Sequence, residues 1–235
     1  MKHEVKQEAR IDALWAETAR LTDSGELRRL SGAFARFVAS LGATSPALLL
    51  AATVLSELEG RGHSCLQLSD LAGDPAGLLG WSQEQWKGLA DTVAPLPRTS
   101  KAWAAQLAAC EQVWRVGDLD YGEPLVFDGE RLYLRRYWRD ETVVAASIRA
   151  RAAATHPVDV ARVRSWLDLL FFSQRASEKP DWQKLACAVA LRGSVAIITG
   201  GPGTGKTYTV ARLLALLFAT APDAARQRIA LAAPT

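Results

Sequence analysis

Cysteine and histidine are scarce, with three of each in 235 residues. Cys65, Cys110 and Cys187 stand far apart and form no Cys-x-x-Cys pair, so neither a zinc site nor a disulfide framework is expected, and buried thiols in a reducing compartment are. His63 precedes Cys65 by two residues, but no further ligands are spaced to complete a metal centre around the pair. Long apolar runs are missing as well. The stretches 46–55 and 213–221 are too short to cross a bilayer, and 1–10 alternates charges where a signal peptide needs an apolar core. Secretion and membrane insertion are not expected, and a cytoplasmic location is. A strong charge of either sign is also absent: a net charge of +3 and a pI near 8.9 permit a polyanionic partner and demonstrate none. There is no internal repeat, which excludes solenoid and array architectures.

What is present is the composition of an ordinary globular chain, 49% hydrophobic and 23% charged, long enough for one or two domains. Its most informative segment is Gly200-Gly201-Pro202-Gly203-Thr204-Gly205-Lys206-Thr207, a full match to the phosphate-cradling loop G-x-x-x-x-G-K-[ST]. Glycines let the backbone curl around an anion with successive N–H groups turned inward, and a helix N-terminus behind them adds partial positive charge. Lys206 is placed to reach the β- and γ-phosphates of a nucleoside triphosphate, and Thr207 to offer its hydroxyl to Mg²⁺. The flanks agree with that order. The β-branched run 195–199 predicts a buried parallel strand, and Val210, Leu213, Leu214 and Leu217 carry helical spacing over 206–219. A second buried strand is expected at 229–233.

Upstream, 4–110 reads as helical, with turn signals at 22–25, 42–46, 60–62 and 73–75. Phe34, Phe37, Val38 and Leu41 sit at helical spacing and are expected in the core, and Ser45-Pro46 opens the next helix as cap and first-turn proline. A linker-like 95–100 precedes a helix over 101–114. Asp128-Gly129 between Leu125-Val126-Phe127 and the run 131–138 predicts a hairpin. Arg131, Arg135, Arg136 and Arg139 alternate there with Tyr133, Tyr137 and Trp138, which suggests either a nucleic-acid surface or a half-buried hairpin with a solvated arginine face; the acids around it favour the latter. Helices are expected over 141–154 and 158–172, with His156 in the loop between. These signals divide the chain into an all-helical domain over 1–115 and the start of an α/β domain over 116–235.

Asp181-Trp182-Gln183-Lys184-Leu185-Ala186 precedes the loop, and with it the chain resembles superfamily 1 helicases, whose glutamine motif Gln183 matches. An amide at that place both donates to and accepts from adenine. Gly62-His63-Ser64-Cys65-Leu66, the stretch 128–138 and the stretch 181–209 resemble the RecD family, the alpha subunits of bacterial exonuclease V, over roughly residues 27–235. The resemblance implies a RecA-like motor with a parallel sheet, truncated here, behind a small helical docking domain. It implies an ATP- and Mg²⁺-dependent 5′–3′ DNA helicase acting in double-strand break repair. It also implies RecB-like and RecC-like partners, no membrane, and single-stranded or duplex-end DNA as the track. Gln183, Gly200, Gly201, Pro202, Gly203, Thr204, Gly205, Lys206, Thr207 and Tyr208 would form the nucleotide site, and Pro234 and Thr235 would open a motif that contacts single-stranded DNA. Two departures stand out: Tyr208 replaces an expected threonine, and 1–26 is longer than usual. A stand-alone RecD-like helicase and a docking scaffold with a vestigial loop are the alternatives.

Overall fold

The computed structural model describes residues 2–172 and 180–232, and the chain divides into two compact units, Met1–Thr142 and Val143–Thr235. The first unit is built around one helix. Helices α1 (Lys2–Asp23) and α2 (Arg29–Ser40) lead to α3 (Pro46–Glu59), in which every residue from Ala47 to Leu58 is buried. A helix apolar on all sides must be surrounded. Here α1, α2, α6 (Gln83–Val93) and α7 (Ser100–Ala108) pack around it. Ser45 caps α3 by accepting a hydrogen bond from Leu48 N at 3.1 Å, with Pro46 in the first turn, as the sequence predicts. Short helices α4 (Leu68–Gly73) and α5 (Pro75–Leu79) connect α3 to α6.

The unit is not all-helical. Strands β1 (Cys65–Gln67), β2 (Val113–Arg115), β3 (Leu125–Phe127) and β4 (Arg131–Leu134) form one mixed sheet in the order β1-β4-β3-β2. Cys65 faces Tyr133 across an antiparallel pair, Phe127 faces Leu132 across another, and Val113 lies parallel to Leu125. The helix expected over 101–114 therefore stops at Ala108, because pairing of the following residues with β3 overrides local helix preference. The expected hairpin forms at Asp128-Gly129. It is clamped by Asp128 Oδ1, which accepts from Glu130 N at 3.0 Å and Arg131 N at 2.7 Å. Its second strand ends at Leu134, where α8 (Arg135–Ala153) begins. Since both β1 and β2 belong to this sheet, the hairpin closes the first unit rather than opening the second, and the division falls at 142 instead of 115.

Helix α2 departs from expectation in a second way. Its small residues Ser31, Gly32 and Ala35 go inward with Val38, Ser31 against Glu57 of α3 and Gly32 against Thr18 of α1, which leaves Phe37 50% and Leu41 47% exposed rather than in the core.

In the second unit, α9 (Val160–Leu170), α10 (Trp182–Arg192) and α11 (Lys206–Thr220) enclose a small core of Val163, Leu167, Phe171, Cys187 and Leu216. A 3-10 turn follows at Ala224–Arg226. Neither 195–199 nor the described part of 229–233 is a strand, and Ile197 and Leu231 are 82% and 75% exposed. The apolar pattern is intact, but a parallel strand exists only through ladders to its neighbours, and among the described residues this unit has only an isolated bridge, Thr155 to Gly193. Among the described residues no helix is long and apolar enough to cross a membrane.

Two acids, buried Glu57 and half-buried Glu59, tie the first unit together. Glu57 accepts from Arg28 N at 3.0 Å and Ser31 Oγ at 2.9 Å, and Glu59 accepts from Arg28, Arg136 and the Tyr137 hydroxyl at 3.2, 2.8 and 2.9 Å. Burial pushes the Glu59 carboxyl up, but the Tyr137 and Arg28 hydrogen bonds, with Arg136 beside them, bring it below the usual carboxylate range. Its stabilisation is complete above the ordinary carboxylate pKa and disappears as pH falls through the lowered folded value. Glu59→Gln should cost about 1–3 kcal/mol at pH 7, and the deficit should shrink on acidification below pH 4, as urea titrations at several pH values will show.

Candidate nucleotide site

The phosphate-loop motif lies between α10 and α11. Gly205 is the residue before α11 and adopts a left-handed conformation, φ +81° and ψ 26°. The backbone there requires glycine, and a Cβ, 2.5 Å from Gln183 Nε2, would also push the glutamine side chain aside. Gly203, φ +74°, supplies a second left-handed turn two residues earlier. Between them Thr204 donates from Oγ1 to Gly201 O at 2.9 Å, and its own carbonyl accepts from Gln183 Nε2 at 3.1 Å. Gln183 therefore reaches across from α10 and holds the loop.

Asp181 positions that glutamine. Its Oδ1 caps α10 by accepting from Gln183 N and Lys184 N, both at 3.0 Å. Behind the loop, Thr209 donates from Oγ1 to Gly205 O at 3.0 Å, and buried Cys187 donates from Sγ to Thr209 O at 3.5 Å, so the floor of the loop is fastened to both helices. Burial raises the Cys187 thiol above its usual range and keeps it neutral.

The start of α11 has the features that an anion site needs. Side chains cap α3, α6, α7, α9 and α10, but none caps α11, so its first N–H groups stay available and its dipole is uncompensated by a cap. Lys206 Nζ donates to Gly200 O and Gly201 O at 2.7 and 2.6 Å and pairs with no carboxylate among the described residues. Its full positive charge is thus held over the loop by carbonyl dipoles alone, a contact that incoming phosphate oxygens can replace. Gly200, Gly201, Pro202, Gly203, Thr204, Lys206 and Thr207 are all exposed, and Thr207 lies in the first turn of α11. The residues fit a nucleoside triphosphate with its divalent cation.

Of the residues singled out in the sequence, Gln183, the loop, Lys206, Thr207 and Tyr208 come together here. Pro234 and Thr235 fall outside the described residues. Arg212, which the motif does not single out, stacks over the Tyr208 ring at 3.1 Å from its centroid. Its place four residues after an aromatic, one helical turn on, is the signal for it.

The basic, aromatic hairpin belongs to the first unit. Arg135 pairs with Asp120 and Glu123, Arg136 with Glu59, Arg139 with Asp140, and Arg131 with Asp128. Tyr133 is buried and meets Trp138 edge-on. This is a half-buried hairpin whose arginines each lie beside a carboxylate and stay partly or largely exposed. Cys65 sits in β1, its thiol raised by burial, and His156 lies in the loop before α9, hydrogen-bonded to Ser194 at 2.8 Å.

Comparison with known proteins agrees with both halves. Residues 23–133 match the family model described as RecBCD enzyme subunit RecD, N-terminal domain, and residues 183–235 match an AAA domain model. The RecBCD enzyme subunit RecD of Mycobacterium tuberculosis is 45% identical over 112 residues, 47% of this chain and 18% of that protein. That of Mycolicibacterium smegmatis is 42% identical over 138 residues, 57% of this chain and 22% of that protein, and that of Haemophilus influenzae 40% over 96 residues, 40% and 15%. The matched stretches are about a fifth of the relatives' length. The RecD resemblance first carried by short stretches such as 62–66 and 128–138 is thus shown.

The left-handed geometry yields a direct expectation. Gly205→Ala forces a strained φ and a clash with Gln183, and should cost about 1–3 kcal/mol in the stability of the α10–α11 region. Hydrogen exchange of α11 amides, faster in the variant with the first unit unchanged, checks it.

Proposed function

We propose that this chain, a RecD relative over 23–133 and similar to an AAA domain over 183–235, is the N-terminal part of an ATP-dependent DNA helicase subunit of a RecBCD-type complex. The observation that carries the reading is the uncapped start of α11 with Lys206 poised over a loop of left-handed glycines. In this reading the second unit opens a RecA-like motor and the first docks against RecB-like and RecC-like subunits. ATP hydrolysis then drives 5′–3′ movement along single-stranded DNA during double-strand break repair in the cytoplasm, and Pro234 and Thr235 begin a DNA-contacting stretch.

Each site residue has a physical role. The Gly200 to Gly205 backbone curls around the phosphates, and Lys206 releases its carbonyl partners to hold β- and γ-oxygens. Thr207 presents its hydroxyl to Mg²⁺. Gln183 reads the edge of adenine through its amide. MgATP supplies the phosphoryl group and the metal charge that stabilises its transfer. Turnover further needs a second metal-organising carboxylate, a water-positioning group and an arginine finger, which this reading places elsewhere in the full-length protein.

Lys206→Ala in the full-length protein should lower ATP hydrolysis by at least about a hundredfold, measured as phosphate release; wild-type rates would remove Lys206 from the reaction. Gln183→Ala should weaken ATP more than GTP, since the loop-holding bond to Thr204 O is lost for both nucleotides and the adenine edge contact for ATP alone. Equal losses for the two nucleotides would leave Gln183 with its loop-holding bond to Thr204 O alone.

A further inference from the structure

Tyr208 is the residue at which this chain departs from the resemblance, and it stands in the first turn of α11 directly beside the glutamine. A Cβ on Gly205 would meet Gln183 Nε2 at 2.5 Å and Tyr208 Cβ at 4.0 Å, so the amide and the base of the tyrosine side chain lie near one backbone position. The ring is 47% exposed. Arg212 lies over it at 3.1 Å and over Phe171 at 5.4 Å, while its Nε donates to Leu170 O at 2.6 Å. The guanidinium is thus fixed at both ends, between two aromatic rings and on a backbone carbonyl, and Tyr208 is held against it.

An exposed aromatic ring braced from behind by a fixed cation is a surface for another flat π-system. It loses little rotamer freedom when something stacks on it, and the cation behind strengthens the ring's contact with an electron-rich heterocycle. A nucleotide whose phosphates lie over 200–207 and whose adenine edge meets the Gln183 amide carries its base to the part of α11 where Tyr208 stands. We infer that Tyr208 is the stacking platform for the purine base and that Arg212 is its positioning residue. This rests on the reading of 200–207 as the phosphate cradle. The division of labour is then physical: Gln183 reads the edge of the base and separates adenine from guanine, while Tyr208 reads the face and separates purines from smaller pyrimidines.

The experiment measures dissociation constants of the full-length protein for MgATP and for ribose 5′-triphosphate with Mg²⁺, which has the same phosphates and sugar and no base. In the wild type ATP should bind more tightly than the baseless compound. Tyr208→Ala should weaken ATP about tenfold and leave ribose 5′-triphosphate unchanged, and Tyr208→Phe should keep the wild-type preference. Tyr208→Ala should affect ATP and GTP alike, unlike Gln183→Ala. Arg212→Gln should lose part of the ATP preference with the baseless affinity intact, and Arg212→Lys, which keeps charge but not planarity, should restore only some of it. Equal weakening of both ligands in Tyr208→Ala, or no change in either, would overturn the platform. A wild type that binds neither compound would overturn the phosphate cradle and the platform with it, whereas normal ribose 5′-triphosphate binding that Lys206→Ala abolishes keeps the cradle secure.

Discussion

The second unit depends on the absence of one side chain. Gly205 sits in a left-handed conformation at the point where the loop meets α11, with the Gln183 amide occupying the space a Cβ would take. That close approach lets α10 hold the loop through Thr204 O, lets Thr209 fasten the turn from behind, and starts α11 without a side-chain cap. An uncapped helix end, two left-handed glycines and an ammonium held by carbonyls together concentrate positive potential in one exposed place. A side chain at 205 would strain the backbone and push aside the Gln183 amide that holds Thr204 O.

The first unit solves a different problem, the burial of α3 on every side. Four helices and a small sheet cover it, and its own acids Glu57 and Glu59 are hydrogen-bonded. Glu57 and Glu59 collect donors from Arg28, Ser31, Arg136 and Tyr137; of the arginines that look like a basic surface in the sequence, Arg136 reaches Glu59, while Arg131, Arg135 and Arg139 pair with Asp128, with Asp120 and Glu123, and with Asp140. Paired arginines with buried aromatics are stabilising features of a fold and weak recruits for phosphate.

Much of this was legible in the sequence where the signal is local. The phosphate loop, the α11 pattern, the Ser45-Pro46 start of α3 and the Asp128-Gly129 turn all depend on residues within a few positions of one another, and each appears in the structure. What failed depended on partners far along the chain. Strands β1 and β2 are three residues each and exist because β4 and β3 pair with them. The same logic in reverse leaves 195–199 without a ladder despite an apolar, β-branched pattern. Phe37 and Leu41 show the limit of periodicity, which says which residues share a helix face and not which face goes inward. For Arg212 the four-residue spacing from Tyr208 is a local signal, but its contacts with Phe171 and Leu170 O depend on segments that meet only in space.

The most direct measurement is the rate of ATP hydrolysis by the full-length protein with and without single-stranded DNA. A motor that converts hydrolysis into movement along a strand should turn over slowly alone and be accelerated severalfold or more by saturating single-stranded oligonucleotide. An ATPase whose rate is unchanged by DNA at every concentration would contradict the helicase reading, while leaving the phosphate loop itself in place.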